Sequence, residues 1–168
     1  SPFHNILIGD KTYQFVIIVH YRQFFDFMLL QNLAGEFRMI AEAKGLALHC
    51  IACRAWVRSD PQLLRRVLQN FLANAVRYTE RGTVLVSCRV VDAGTKLRID
   101  VADSGIGISP EHQRDIFREF YQVGNPGRDR TQGLGLGLNI VERTAKLLGH
   151  TVALRSGLGC GTRFSITL

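Results

Sequence analysis

No hydrophobic run in this sequence is long. The longest, Phe15-Val16-Ile17-Ile18-Val19, falls far below the roughly 20 residues that carry a helix across a bilayer. No basic n-region opens the chain, since Ser1-Pro2-Phe3-His4 precedes the first apolar stretch, and Ser1 suggests a fragment. The expected location is therefore cytoplasmic, as the cytosolic part of a parent that can itself be membrane-anchored. Lysine is scarce: 4 residues against 17 arginines, within a net charge of +7. The arginines are scattered, form no block and do not alternate with aromatics, which argues against a nucleic-acid surface. There are only 4 cysteines. Cys50-Ile-Ala-Cys53 has metal or redox spacing, but it lies in a stretch that reads as a strand, where the two side chains would point to opposite faces. Reduced thiols and no metal cluster are expected. Two phosphate-binding signatures are missing as well. No Gly-Lys dipeptide occurs, which removes the Walker loop. No G-x-G-x-x-G occurs either, which removes the dinucleotide fingerprint.

What is present is a 168-residue chain, 46% hydrophobic and 21% charged, enough for one globular domain with a real core. "KTYQFVIIVHY" reads as a strand, but residues 1–26 are otherwise hard to place. From about Asp26 to Lys44, Leu29, Leu30, Leu33, Phe37 and Ile40 recur at helical spacing, and Gly45 ends the helix. "LALHCIA" reads as a strand. Ser59-Asp60-Pro61 starts a second helix that runs to about Thr79. "TVLVSCRVV" and "KLRIDVAD" predict a hairpin closed by "DAGT". "SPEHQRDIF" predicts a short helix capped by Ser109. "YQVGNPGRDRTQ" reads as a mobile loop, residues 137–148 as a helix ended by Gly149, and "TVALRS" and "TRFSITL" as strands.

Three segments carry chemistry. In "LLRRVLQNFLANAVRYT", Leu64, Val67, Leu68, Phe71, Leu72, Ala75 and Val76 form an apolar stripe, while Arg66, Asn70, Asn74 and Arg77 stack along another face. Asparagine is a poor helix former. Those amides either bond neighbouring backbone or serve a ligand, because amide oxygens suit a hard cation such as Mg2+ and a guanidinium meets phosphate bidentately. "RIDVADSGIGIS" ends a strand at Asp103 and then spaces Gly105 and Gly107. A carboxylate there can accept from an exocyclic amine, and glycines let the backbone approach a flat ring. "GLGLGL" places Gly133, Gly135 and Gly137 against a helix start. The unpaired N–H groups of a helix start suit an anion, although the same glycines would also make a hinge.

Together these residues resemble the catalytic and ATP-binding domain of sensor histidine kinases, within the GHKL ATPases. "QNFLANAVRYT" (69–79) resembles the N box, "DSGIGIS" (103–109) the G1 box, "IFREFYQ" (116–122) the F box and "GLGLGL" (133–138) the G2 box. The match covers about residues 27–168 and leaves 1–26 as an unassigned leader or linker. "QVGNP" further resembles hybrid bacterial kinases. The resemblance implies the Bergerat fold, a two-layer α/β sandwich with a mixed sheet, helices packed on one face and a flexible ATP lid. It implies an ATP·Mg-binding kinase domain that donates the γ-phosphoryl group to a histidine on a separate dimerisation domain of the same parent, with a response regulator downstream. It also implies roles. Asn74 would bind Mg2+ with Asn70 assisting, and Arg77, standing where the family often has Lys, would contact phosphate; these three form the catalytic set. Tyr78 would flank the nucleotide. Asp103 would read the adenine amine, with Gly105, Gly107 and Ile108 lining the base and Thr162 holding a water. Phe117 and Phe120 would anchor the lid base. Gly133, Leu134, Gly135, Leu136, Gly137 and Leu138 would shape the lid end near the phosphates.

Some features depart from the family. His4, His20, His49, His112 and His150 all lack the acidic residue and proline context of a phosphoacceptor histidine. The acceptor is therefore expected outside this chain, which should be monomeric, with no nucleic-acid partner and no direct membrane contact. The alternatives are another GHKL ATPase, an anti-sigma-type serine kinase, or a scaffold that binds no nucleotide. Gln69 and Ala73-Asn74-Ala75 differ from the gyrase and Hsp90 pattern, which has Glu before the first Asn.

Overall fold

The computed structural model describes residues 24–25, 27–51, 55–123 and 135–168. The leader strand expected in residues 1–23, and Gly133 and Leu134, lie outside the described residues.

In chain order the elements are β1 (Phe24–Phe25), α1 (Phe27–Ala43), β2 (Leu46–Ile51), β3 (Ala55–Trp56), α2 (Pro61–Tyr78), β4 (Gly82–Val91), β5 (Lys96–Asp103), α3 (Gly137–Leu148), β6 (Thr151–Ser156) and β7 (Thr162–Thr167). Strands β1 and β3 pair antiparallel as a small ribbon. The main sheet has five strands in the order β2-β4-β5-β7-β6. Only β2–β4 is parallel; the remaining pairs are antiparallel. This is the mixed sheet of the expected α/β class.

Alternation along the strands assigns the two faces. Val84, Val86, Ile99, Val101, Phe164 and Ile166 are buried and share one core with Leu30, Leu33, Phe71, Leu72, Val141 and Ala145 of the helices. Arg89, Arg155 and Arg163 point to the other, open face and are exposed. One face of the sheet therefore carries the helices. The stripe expected on α2 is the buried set of that helix. Phe71 stacks on Phe164 at 5.0 Å between ring centroids, and Phe117 meets Phe164 edge-on at 6.4 Å. Asp60 caps α2, its carboxylate accepting from the N–H groups of Gln62 and Leu63 at 2.9 Å.

Two local expectations are corrected. Residues 109–117 form no α-helix: turns run through 110–114, followed by a 3-10 turn at Asp115–Phe117. The Ser109 hydroxyl donates to Glu111 at 3.2 Å instead of capping, which leaves the segment without the side-chain cap that would nucleate a helix. Cys50 and Cys160 are free thiols, whereas Cys88 is disulfide-bonded, not reduced. Cys88 lies under the helix layer, 7% exposed, where reductants have little access.

Candidate functional site

Asp103 ends β5, the middle strand of the five-stranded sheet, where it pairs with Val84 of β4 and Thr162 of β7. Its Oδ1 accepts from the N–H of Gly105 at 2.9 Å and from the N–H of Thr162 at 3.2 Å. Oδ2 has no hydrogen bond among the described residues. Burial pushes the carboxyl's pKa up, and the two backbone N–H groups partly oppose that. One oxygen is thus locked to the scaffold and the other remains available as an acceptor.

The loop after Asp103 is fitted to the β6–β7 turn. Gly107 has φ +70°, and a Cβ there would lie 1.8 Å from the carbonyl oxygen of Gly157; only glycine permits that approach. The Ile108 N–H donates to the Ser156 hydroxyl oxygen at 2.8 Å. That hydroxyl donates to the Gly161 carbonyl at 2.9 Å and lies 3.0 Å from Thr162 Oγ1. Gln113 bridges the two segments, its Nε2 donating to the carbonyls of Ile108 at 2.9 Å and Ser156 at 3.0 Å. Thr162 therefore holds Asp103 through its backbone N–H, while its hydroxyl faces Ser156. Ser156 and Gln113 were not singled out in the sequence. Each acts on partners more than 40 residues away or within an ordinary turn, and neither leaves a spacing signal.

Helix α2 carries Asn70, Asn74, Arg77 and Tyr78, and its C-terminal end meets the loop after Asp103, where the Tyr78 carbonyl accepts from the Ile106 N–H at 3.2 Å. Asn70 donates through Nδ2 to the Arg66 carbonyl at 2.8 Å, the backbone bond open to it from sequence. Its Oδ1 faces α3, and a Cβ on Gly137 would come within 2.5 Å of it. The glycine thus lets the first turn of α3 meet the amide face of α2. Asn74 is partly exposed and has no hydrogen-bond partner among the described residues. Arg77 is exposed, and Tyr78 is 46% exposed.

The F-box segment meets the start of α3. The Phe120 N–H donates to the Gly135 carbonyl at 3.1 Å, with Phe120 at φ +61° and 58% exposed. Asn139 Nδ2 donates to the Phe117 carbonyl at 3.1 Å. Leu136 is the N-cap residue, its carbonyl accepting from Ile140 at 2.9 Å. Ile108, Phe117 and Leu138 pack partly buried against the core. An open cavity of about 480 Å3 runs past Asp103 and Thr162 towards Arg155 and Arg163. None of the α2 polar residues lines it, so it is not the space between Asp103 and α2.

The loop after Asp103, the end of α2 and the start of α3 thus adjoin one another, through the bond from the Ile106 N–H to the Tyr78 carbonyl and the close approach of Gly137 to Asn70. Residues 59–168 match the family described as histidine kinase-, DNA gyrase B- and HSP90-like ATPase. The chain belongs to this ATPase family. Its relatives within the family include hybrid signal transduction histidine kinase B of Dictyostelium discoideum, 34% identical over 86% of this chain and 8% of that protein. The sensor histidine kinase CusS of Escherichia coli K12 is 41% identical over 82% of this chain and 30% of CusS. The chain thus spans less than a third of these curated relatives. Among solved structures, full-length ShkA in complex with AMPPNP superposes with TM-score 0.70 at 33% identity, over 83% of this chain and 28% of ShkA. The catalytic domain of histidine kinase ThkA superposes with TM-score 0.72 at 24% identity, over 87% of this chain and 95% of that one; that likeness shows the fold alone. The ATPase domain is accordingly of the sensor histidine kinase kind. No helix among the described residues is long and apolar enough to cross a membrane.

Proposed function

We propose that the chain binds ATP·Mg and donates the γ-phosphoryl group to a histidine on a dimerisation domain of its parent protein, upstream of a response regulator. One observation carries this reading. The Asp103 carboxylate has Oδ1 fixed by two backbone N–H groups and Oδ2 without a hydrogen bond among the described residues, as recognition of an exocyclic purine amine requires. Gly105, Gly107 and Ile108 would line the base, and Tyr78 would flank it. Thr162 keeps Asp103 in place and would share a water with it.

The groups facing the triphosphate fit a magnesium nucleotide. Asn74 offers an amide oxygen without a hydrogen-bond partner among the described residues, on a face shared with Arg77, and amide oxygens are suitable ligands for a hard cation. Asn74 would hold Mg2+, which neutralises phosphate charge when bound. Asn70 would assist through Oδ1, and Arg77 would contact phosphate. The start of α3, from Gly135 and Leu136 through Gly137 and Leu138, would present backbone N–H groups to phosphate oxygens; Gly133 and Leu134, of the same glycine run, lie outside the described residues. Phe117 and Phe120 would anchor the lid. Phosphoryl transfer demands positioning and charge neutralisation more than covalent help, and these residues supply both. The domain boundary would fall near residue 27, with residues 1–26 as leader or linker.

Asp103→Asn tests the reading. The amide keeps an acceptor for Gly105 and Thr162 but puts a donor where Oδ2 stood. Calorimetry with Mg-ATP should show binding to the unaltered chain and a loss of at least about tenfold in the variant, since a hydrogen bond to a charged group is worth ~1.5–3 kcal/mol. Phosphate transfer to a purified histidine-bearing domain should fall with it. Equal affinity in the two proteins would overturn the assignment of the base reader.

A further inference from the structure

Helix α2 ends where the site begins. Its last turn carries Asn74, Arg77 and Tyr78, and Thr79 leaves helical geometry at φ −106°, ψ 118°. A helix end leaves its final carbonyls without intrahelical partners, and all of them find partners here. The Thr79 hydroxyl donates back to the Ala75 carbonyl at 2.7 Å. The Tyr78 carbonyl accepts from the N–H of Ile106, in the loop after Asp103, at 3.2 Å. The carbonyls of Val76, Arg77 and Thr79 accept from one group, the Lys44 ammonium, at 2.6, 3.1 and 3.1 Å.

Lys44 lies in the turn from α1 to β2, more than 30 residues from the carbonyls it holds. That turn is itself fixed: the N–H groups of Lys44 and Gly45 donate to the carbonyls of Ala41 and Glu42 at 3.0 and 2.9 Å. An ammonium has three protons to donate, and three carbonyls take them. Lys44 makes no ion pair among the described residues. Its charge faces the negative end of the α2 dipole, the favourable sign. The last turn of α2 is therefore clamped from two sides, by Lys44 and by the loop that follows Asp103.

We propose that Lys44 is a positioning residue for the nucleotide site: by holding the carbonyls of Val76, Arg77 and Thr79 it sets where Asn74, Arg77 and Tyr78 stand relative to Asp103. This rests on the proposed function. An α2 end held on one side only would let the groups for the phosphate tail drift from those for the base. Small misplacements of this kind are costly even when the displaced residue touches no ligand.

The test compares 168-residue chains carrying Lys44→Met, Lys44→Arg or Ile166→Val with the unaltered chain. Ile166 is fully buried on β7 and serves as a stability control away from α2. Thermal midpoints are measured first, then Mg-ATP affinity by calorimetry well below the lowest midpoint, so that only folded protein is titrated. K44M is expected to bind Mg-ATP about tenfold more weakly than I166V at comparable loss of midpoint, with I166V matching the unaltered chain. K44R, which restores a cationic donor, should recover most of the affinity. If K44M does not fold, Lys44→Gln, which retains a neutral donor, takes its place, with an expected loss of about threefold. Affinity in the lysine variant equal to that of I166V overturns this inference alone. Absence of Mg-ATP binding by the unaltered chain overturns the proposed function, and this inference with it.

Discussion

Asp103 is a carboxylate whose burial carries a cost in stability. Its carboxyl pKa is raised by burial, so the ionised form costs folding free energy. That cost appears as pH rises through the folded-state pKa and vanishes below the ordinary carboxylate range, where the residue is protonated in both states. Asp103→Asn should therefore leave the ligand-free chain at least as stable as the original at pH 7. The difference between the two should shrink as pH falls towards 4, as followed by thermal melts without nucleotide. A variant that was less stable at pH 7 yet equal in stability at pH 4 would contradict the sign. Gly107 has the opposite character, because its conformation is obligatory. Gly107→Ala adds a Cβ that would lie 1.8 Å from the Gly157 oxygen at φ +70°. It should cost about 2 kcal/mol or more, from strain and a displaced turn, read from urea unfolding. Both residues stood out in the sequence as an Asp-Ser-Gly-Ile-Gly run, and the resemblance also named Thr162. Neither the bond from the Thr162 N–H to Asp103 nor the approach of Gly157 to Gly107 left a signal there.

At the scale of elements, α2 was the most legible part of the sequence. Its cap, its apolar stripe and its polar face all follow from spacing within one segment, and the helix runs Pro61–Tyr78 with the stripe buried. The capping bonds of Asp60 are local, so Asp60→Ala should cost about 1 kcal/mol. That loss would be seen as a lower urea midpoint with unchanged slope. The segment 109–117 was less legible. Ser109, Pro110 and Glu111 have the composition of a helix start, but the Gln113 bridge to β6 and the His112–Tyr121 contact at 2.6 Å tie the backbone into turns. Tertiary bonds there outweigh a weak local preference. The end of α2 is a second case, since its termination depends on Lys44 and Ile106, both remote in sequence.

At the scale of the whole molecule, one core joins both layers. Phe71 lies at its centre, fully buried and stacked on Phe164 of β7 at 5.0 Å, with Phe117 of the F-box segment against the same ring. Phe71→Ala should destabilise the fold by ~3–5 kcal/mol. Because Phe164 also supports Phe117, the variant should loosen the segment 115–121 and speed its amide hydrogen exchange relative to β2. Uniform acceleration across the sheet would argue against that link. The core thus connects α2 to the segment that carries Phe117.

The sequence by itself determined the class of elements, the buried stripe of α2 and the resemblance that the family match bears out. These depend on periodicity and on short motifs whose spacing is local. Only the tertiary structure decided which groups meet. It placed Thr162 N–H on Asp103, Ser156 between two loops, Gly137 against Asn70 and Lys44 under the end of α2. Those contacts depend on how close distant segments come, and a chain carries no local signal for a partner it reaches only after the sheet has assembled.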